Sequence, residues 1–543
     1  MNHRLEPQIS AVATGGLRQA TPDRSTSDYR RLDVQSAPYR LTRSRNVWLS
    51  VMPFEVGPCA TPPRRTHHFT CREGQAMTQM LGIDALRTQL TGRVIDKYDF
   101  DYDAARSVWN GAIDRRPAVI VRCSGPSDVA AAIAFGRGHG TQISVRGGGH
   151  GCWGAAELDG GLVIDLSDLR GVSVDPGSRR VWCSGGATIG DLDAATARHD
   201  LAVTGGTISH TGLGGLALGG GLGWLVHKAG LTVDNLLSAE IVTAQGRTLC
   251  VSADEHPDLF WAVRGGGGNF GVVTGFEFRL HEVGPLVYLG LFFWTPDHGA
   301  EALRIGRKVA ASLPPNAGLV MAAGLAAPHA PFVPAAHRGT PGYGLMIAGF
   351  GSALEHHRLI APVRQAPPPL FEFVTPLPYL ELQKTLDDTA PWGIHAHEKS
   401  LYLQELSEDA ISILSENIPR KSSPMSFITI FSLGGAFADV GERETAFGGS
   451  RQTRFLVSMT AIAPDAELLA TDRAWASSVW QALVPHASGS GGYINVMADF
   501  DEERVQASYG VEKYQRLADI KARYDPDNVF RMNANIKPAP QPR

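Results

Sequence analysis

A chain of 543 residues, 43 % of them hydrophobic, is long enough for two or more domains with a large core. Its formal net charge of −4 provides no field that would draw nucleic acid or an anionic membrane, and no run of about 18 apolar residues marks a membrane span. Six cysteines, Cys59, Cys71, Cys123, Cys152, Cys183 and Cys250, include no CxxC pair and no zinc spacing, so they read as reduced structural thiols and no metal is expected.

Residues 1–76 are rich in Arg, Ser and Pro without apolar periodicity, a composition that cannot bury enough surface to offset chain entropy. No apolar stretch follows either arginine pair, Arg30–Arg31 or Arg64–Arg65, so no secretory leader is recognised and a cytoplasmic location is expected. Residues 1–80 read as a disordered or misassigned extension, with Met77 or Met80 as an alternative start. Order is expected from Gly82. PAVIVRC (117–123) reads as a strand, 126–140 as a helix capped by Ser127, and TQISVRGGGHG (141–151) as a strand running into glycines, which together make a βαβ unit. Strands are predicted at 160–169 and, after a DPGS turn, at 179–186. Thr188 is set to cap a helix over about 189–199, 238–253 reads as a hairpin, and 269–280 alternates as a strand. After about residue 284 the apolar strands LVYLGLFFWT and GYGLMIAGFG alternate with Pro-rich joints such as 364–370 and helical stretches such as 406–418. This pattern points to a second domain with a mixed or antiparallel sheet. The segment 501–538 reads as a charged amphipathic helix ended by a DPDNVF turn and an extended tail.

The 61 glycines are not spread evenly; they collect at 147–151, 205–223 and 265–271. Consecutive glycines expose backbone N–H groups, and such a loop after a strand suits an anion such as a diphosphate. No GxGxxG follows the first strand and no GxxxxGK[ST] occurs, so neither a Rossmann site nor a P-loop is indicated. Three such loops in one domain suit an extended dinucleotide held along its length.

The ordered motifs RGGGH, GLGGLALGGGLG, VDNLLSAEIVTAQG, DLFWAVRGGGGNFGVVT, GGYIN and YDPDNVFRMNANI resemble those of the berberine bridge enzyme-like flavoprotein oxidases, in the vanillyl-alcohol-oxidase or p-cresol-methylhydroxylase class. The likeness covers about 95–283 and 488–538. It implies an α+β, two-domain vanillyl-alcohol-oxidase-like fold. A discontinuous FAD-binding domain (81–283 and 489–543) would carry a substrate domain (284–488) of antiparallel sheet and helices over the flavin. It further implies an oxidase that passes a hydride from a small-molecule substrate (sugar, alcohol or secondary metabolite) to FAD, with molecular oxygen as acceptor and hydrogen peroxide as product. A flavin dehydrogenase with another acceptor, or a flavin-carrying protein without turnover, stands as the alternative.

Residue by residue, the family's flavin-linked histidine matches His150, and the cofactor would lie along Arg146, Gly147, Gly148, Gly149, His150, Gly151, Gly154, Gly206, Thr207, Gly212, Gly214, Gly215, Gly219, Gly220, Gly223, Val273, Asn533 and Asn535. The cysteine that carries a second link in many relatives is replaced by Ile208, which implies a single covalent link; Cys152 reads as structural. The family's YxNY is present only as Tyr493 and Asn495, with Val496 at the second tyrosine. The expected catalytic pair is therefore Tyr493 and Asn495, unless Tyr402, Glu405 or His395 from the middle segment supplies the base.

Overall fold

The computed structural model describes residues 82–540 apart from Ala366 and Ser490. The extension expected over 1–80, with Met77, Met80, Cys59 and Cys71, lies outside the described residues.

The chain opens with β1 (Arg93–Asp96) and β2 (Val119–Arg122), the helix Pro126–Gly138, then β3 (Ile143–Arg146) and β4 (Leu162–Asp165). They form a sheet in the order β1-β2-β4-β3, with β2 and β3 parallel to β4, so the expected βαβ unit is present. All four residues of β4 are buried, as a central strand covered on both faces requires. The helix cap differs from expectation. Gly125 is the N-cap with Pro126 in the first turn, and Ser127 lies inside the helix, because Asp128 instead gathers the N–H groups of Thr91, Gly92 and Ser124.

β5 (Val172–Asp175) and β6 (Arg180–Ser184) lead to the helix Ile189–Thr196, which starts at a capping box of Thr188 and Asp191, and to a short β7 (Leu201–Ala202). β8 (Leu236–Val242) and β9 (Thr248–Ser252) are the expected hairpin, and β10 (Val272–Arg279) completes an antiparallel sheet in the order β5-β6-β10-β8-β9. β11 (His281–Glu282) pairs with β7.

The second domain is one seven-stranded antiparallel sheet. Its strands are β12 (Val287–Trp294), β13 (Ala317–Ala326), β14 (Pro341–Gly349), β15 (Phe371–Leu377), β16 (His395–Leu403), β17 (Phe427–Ser432) and β18 (Phe455–Ala463), in the order β15-β12-β14-β13-β17-β18-β16. Leu401, Leu403, Val457 and Met459 point to one face, where they pack on Leu303, Ile360, Leu414 and Val479 of four helices. The opposite face is left for the first domain.

The tail departs from the single helix expected between residue 501 and the DPDNVF turn, while the turn and the extended tail after it are present. Asp501 caps Glu502–Tyr509, Gly510 at φ 72 breaks the chain, and Val511–Tyr524 follows. A residue with a side chain would be strained at that φ, so the sequence breaks the helix there. Val505, Tyr509, Leu517 and Ile536 pack with Val181, Phe276 and Phe278 of the antiparallel sheet. The C-terminus thus returns to the first domain, giving a two-domain α+β fold.

Candidate active site

The three glycine loops converge, and their glycines fall into two groups. A Cβ on Gly148 would strike the backbone of Gly212, and one on Gly212 would strike Gly148, so the first two loops touch backbone to backbone. Gly214 abuts the Gly185 carbonyl, Gly223 that of Gly205, Gly206 the Leu216 side chain, Gly219 the amide of Asn495, and Gly220 the rings of Phe447 and Tyr493. At these positions the side-chain direction is filled by protein. Gly149 and Gly154 sit at φ 65 and 71 and pack on Arg146 and Ile113. A Cβ on Gly151 or Gly215 would meet nothing, and one on Gly147 only the Gly185 carbonyl at 3.6 Å. These three mark an open cradle, beside the half-buried Thr207.

Arg146 does not point into that cradle. Its guanidinium donates to the carbonyls of Ala105 and Ser107 and reaches Glu157 at 3.4 Å, so it buttresses the loop from behind. Burial pushes the Glu157 carboxyl up to about 8, against the pull of Arg146.

His150 stands at the end of the first loop. Its ring stacks on Trp109 at 4.7 Å and 10°, with the His210 ring 5.0 Å away on another side. Its Nε2 is buried without a hydrogen-bond partner. Burial first, and His210 second, push the imidazole down to about 3, so it is neutral at pH 7 and keeps a free lone pair. Such a nitrogen is a nucleophile. Ile208 packs with the cluster of Trp109 and Cys152. The Cys152 thiol is buried and pushed well above its ordinary value, so it stays protonated.

Sequence reasoning missed the floor of the site. On β16, Ala396 clusters with Trp109, Cys152 and Ile462, whereas Tyr402 clusters with Leu222, Phe447, Leu456 and Tyr493. Strand residues two apart share a face, so Glu398 and Ser400 lie on the same face between those ends. Their partners across β18 are Thr460 and Ser458. A polar strip of Glu398, Thr460, Ser400 and Ser458 therefore faces the glycine loops between two apolar ends, and Cys152 feels the Glu398 charge. Burial pushes the Glu398 carboxyl up to about 7. The sequence carries no clear signal for Glu398; its face follows from the packing of Ala396 and Tyr402 on the same side of β16.

The Tyr493 hydroxyl oxygen accepts from the Gly221 N–H at 2.7 Å and from Asn495 Nδ2 at 2.9 Å. Asn495 also donates to the Leu216 carbonyl, and the Tyr493 N–H donates to Ser400 Oγ at 3.0 Å. Both residues thus pin the helix Leu213–Gly219 and the turn after it onto β16. Burial, opposed by the two donors, pushes the Tyr493 phenol up to about 12. Tyr402 lies beside it with a buried hydroxyl lacking a partner, His395 sits on the other face of β16 from Glu398, and Glu405 is exposed beyond the strand.

The third loop meets the tail. Asn533 donates to the Gly268 carbonyl at 3.0 Å, and the Oδ1 atoms of both Asn533 and Asn535 are buried without partners. Val273 sits at a bulge of β10 against Gly185. Asn269, a further residue missed from sequence, is fully buried and bonds Gly266, Ala534 and Ile536. The open glycine cradle, the unpartnered nitrogen of His150 and the unpartnered asparagine oxygens are the groups that a dinucleotide such as FAD would engage. Among the described residues, Cys123, Cys152, Cys183 and Cys250 are free thiols, and no helix is long and apolar enough to cross a membrane.

Comparison with known proteins agrees with this reading. A family profile described as "FAD binding domain" matches residues 117–252, and one described as "Berberine and berberine like" matches 492–537. An FAD-linked oxidoreductase of Dictyostelium discoideum is 30 % identical over 435 residues, 79 % of this chain and 91 % of that protein. The (R)-6-hydroxynicotine oxidase of Paenarthrobacter nicotinovorans is 42 % identical over 208 residues, 38 % of this chain and 45 % of that one. The crystal structure of 6-hydroxy-D-nicotine oxidase from Arthrobacter nicotinovorans superposes with a TM-score of 0.71 at 28 % identity, covering 82 % of this chain and 98 % of that one. Fold and site together define an FAD-linked oxidoreductase. The chain belongs to the berberine bridge enzyme-like family, with the FAD domain of the vanillyl-alcohol-oxidase and p-cresol-methylhydroxylase type.

Proposed function

We propose that this protein is an oxidase that holds FAD by a single covalent link through His150 and oxidises a carbon of a small organic substrate, with molecular oxygen as acceptor and hydrogen peroxide as product. FAD supplies the hydride acceptance and the reaction with oxygen; the chain positions, tunes and shields. The observation that carries the reading is the buried, unpartnered, neutral Nε2 of His150 at the end of the open glycine cradle. Ile208 supports a single link, since it offers no thiol at the position where many members of the family carry one.

The base in this reading is Glu398. It lies on the polar strip of the sheet, its carboxyl is poised at about 7, and Ser400, Ser458 and Thr460 beside it offer hydroxyls to orient a substrate alcohol or amine. Tyr493 and Asn495, the pair expected from sequence, act here on the scaffold, because a phenol held at about 12 is protonated at neutral pH. The domain limits that go with this reading are 81–283 and 489–543 for FAD and 284–488 for substrate.

The test is a flavin-peptide map joined to a peroxide screen. The flavin should stay with acid-precipitated protein and map to a peptide containing His150. A panel including 6-hydroxynicotine enantiomers, after the relatives described above, together with sugars and alcohols should yield peroxide with at least one class. Flavin released by acid would overturn the link, and fast flavin reduction with slow reoxidation by oxygen would make the protein a dehydrogenase.

A further inference from the structure

We propose that a cleft at the far end of the antiparallel sheet binds a small organic polyanion, a phosphate ester or polycarboxylate, at a site separate from the cofactor cradle. The cleft has a volume of about 550 Å³, within the roughly 300–1,000 Å³ range of small-molecule sites. Four cations line it, Arg179, Arg180, Lys228 and Arg279, against the single acid Glu282, so the lining carries a formal charge of 4 − 1 = +3 with His281 neutral. A chain of net charge −4 has no general reason to build such a patch.

The cations are not all matched internally. Arg179 pairs with Glu282, and Arg180 with Glu277 at 3.3 Å. The Lys228 side chain donates only to the side-chain oxygen of Asn316, at 2.7 Å, and the Arg279 guanidinium has no ion pair or hydrogen bond among the described residues. His281 lies beside both in the same lining: its Nε2 is occupied by Asn235 Oδ1 at 2.6 Å, and burial first, then the like charges of Lys228 and Arg279, hold the imidazole below its ordinary value. Two cations without an ion-pair partner thus line one cleft, an arrangement that an anion bound there would relieve. Arg179 sits at φ 54, a conformation uncommon for a residue with a side chain, and its carbonyl accepts from Leu280 N at 2.8 Å. The turn is held so that two successive arginines flank the cleft. Guanidinium forks match phosphate and carboxylate oxygens in pairs.

The site is remote from the cradle along the same strands. Arg180 pairs with Arg279 at one end of the β6–β10 ladder, and Ser184 pairs with Gly275 at the other, next to Gly185 of the glycine loops. Four residues of strand separate the two ends by about 13 Å, at roughly 3.3 Å per residue.

The experiment uses FAD-loaded protein, so that the diphosphate cradle is filled, and titrates pyrophosphate or citrate at constant ionic strength with chloride as the matched control. Saturable one-to-one binding is expected. Arg279→Gln and Lys228→Gln should each weaken it by tenfold or more while the flavin spectrum stays unchanged. The His281 ring signal should titrate at higher pH with the anion bound. Tighter pyrophosphate would identify a phosphate ester as the natural ligand, and tighter citrate a polycarboxylate. No saturable binding beyond chloride, or equal binding by the double variant, would overturn the proposal.

Discussion

Asn110 grips Ala396 by both of its backbone groups: Nδ2 donates to the Ala396 carbonyl and Oδ1 accepts from its N–H, each at 3.0 Å. The same Nδ2 donates to the Cys152 carbonyl, two residues past His150. Next to it, Trp109 N–H donates to the Gly149 carbonyl at 2.9 Å and its indole N–H to the Ala390 carbonyl at 2.8 Å. One dipeptide therefore sets the distance between the His150 loop and the strand that carries Glu398.

Replacing Asn110 with Ala strands buried backbone groups on both sides of that seam. Each such group costs about 1–3 kcal/mol, and these terms do not simply add, so a loss of about 2–4 kcal/mol is expected. The melting temperature should fall and the fraction of covalently attached flavin should fall with it. A variant with normal stability and full flavin attachment would show that the seam is held elsewhere.

His150→Ala should fold, bind FAD reversibly and release it into acid, whereas the unaltered protein keeps its colour in the pellet. The folded-state pKa of His150 lies near 3, below its ordinary value, so the native state binds fewer protons than the unfolded one between about pH 3 and 6.5. Before flavin attaches, stability should therefore fall as pH drops through that window. In His150→Ala the fall should be smaller, as measured by denaturant midpoints at pH 4 and pH 7.

Two glycine substitutions separate packing from ligand contact. Gly148→Ala drives a methyl group into the Gly212 backbone and should lower both stability and FAD content. Gly151→Ala meets no protein atom, so the fold should keep its melting temperature without FAD. If the cradle holds the cofactor, the methyl group should still weaken FAD binding, measured as the FAD content of freshly purified protein. Undiminished FAD in Gly151→Ala would move the cofactor away from this loop.

Much of this site was legible in the sequence because motif order fixes which segments meet. The run RGGGH put His150 at the end of a glycine loop, the departure from the family's cysteine singled out Ile208, and Thr188 and the 238–253 hairpin followed from local signals that tertiary packing did not override. Two things were not legible. Which glycines face protein and which face the cradle depends on loop–loop contacts, such as Gly148 with Gly212, that no local pattern records. Glu398 was hidden because its neighbours in HAHEKSLYL carry no clean alternation of polar and apolar residues. Its face appears only once Ala396 and Tyr402 are seen packing against opposite ends of the site. The helix expected up to the DPDNVF turn is broken in two for a local reason, Gly510, which the amphipathic pattern around it outweighed.

Glu398 and Tyr493 make opposite predictions. Glu398→Gln removes a carboxylate poised at about 7, so flavin reduction by substrate should slow by about 10²–10⁴. In the unaltered protein that rate should rise with pH through a limb near 7, as the carboxyl gives up its proton, and the limb should vanish in the variant. Stability runs the other way. The folded value lies above the ordinary 4.5, so the contribution of protonated Glu398 is fully present below about 4.5 and is lost as pH rises through 7. Glu398→Gln should therefore make the protein more stable at pH 8 relative to pH 5 than the unaltered chain. Tyr493→Phe removes the acceptor for Gly221 N–H and Asn495, at about 1–3 kcal/mol, and should reduce flavin within a few-fold of normal with the limb intact. Should the Phe variant lose the limb while the Gln variant keeps it, the base is the tyrosine, and two hydrogen-bond donors to a buried phenolate outweigh its burial.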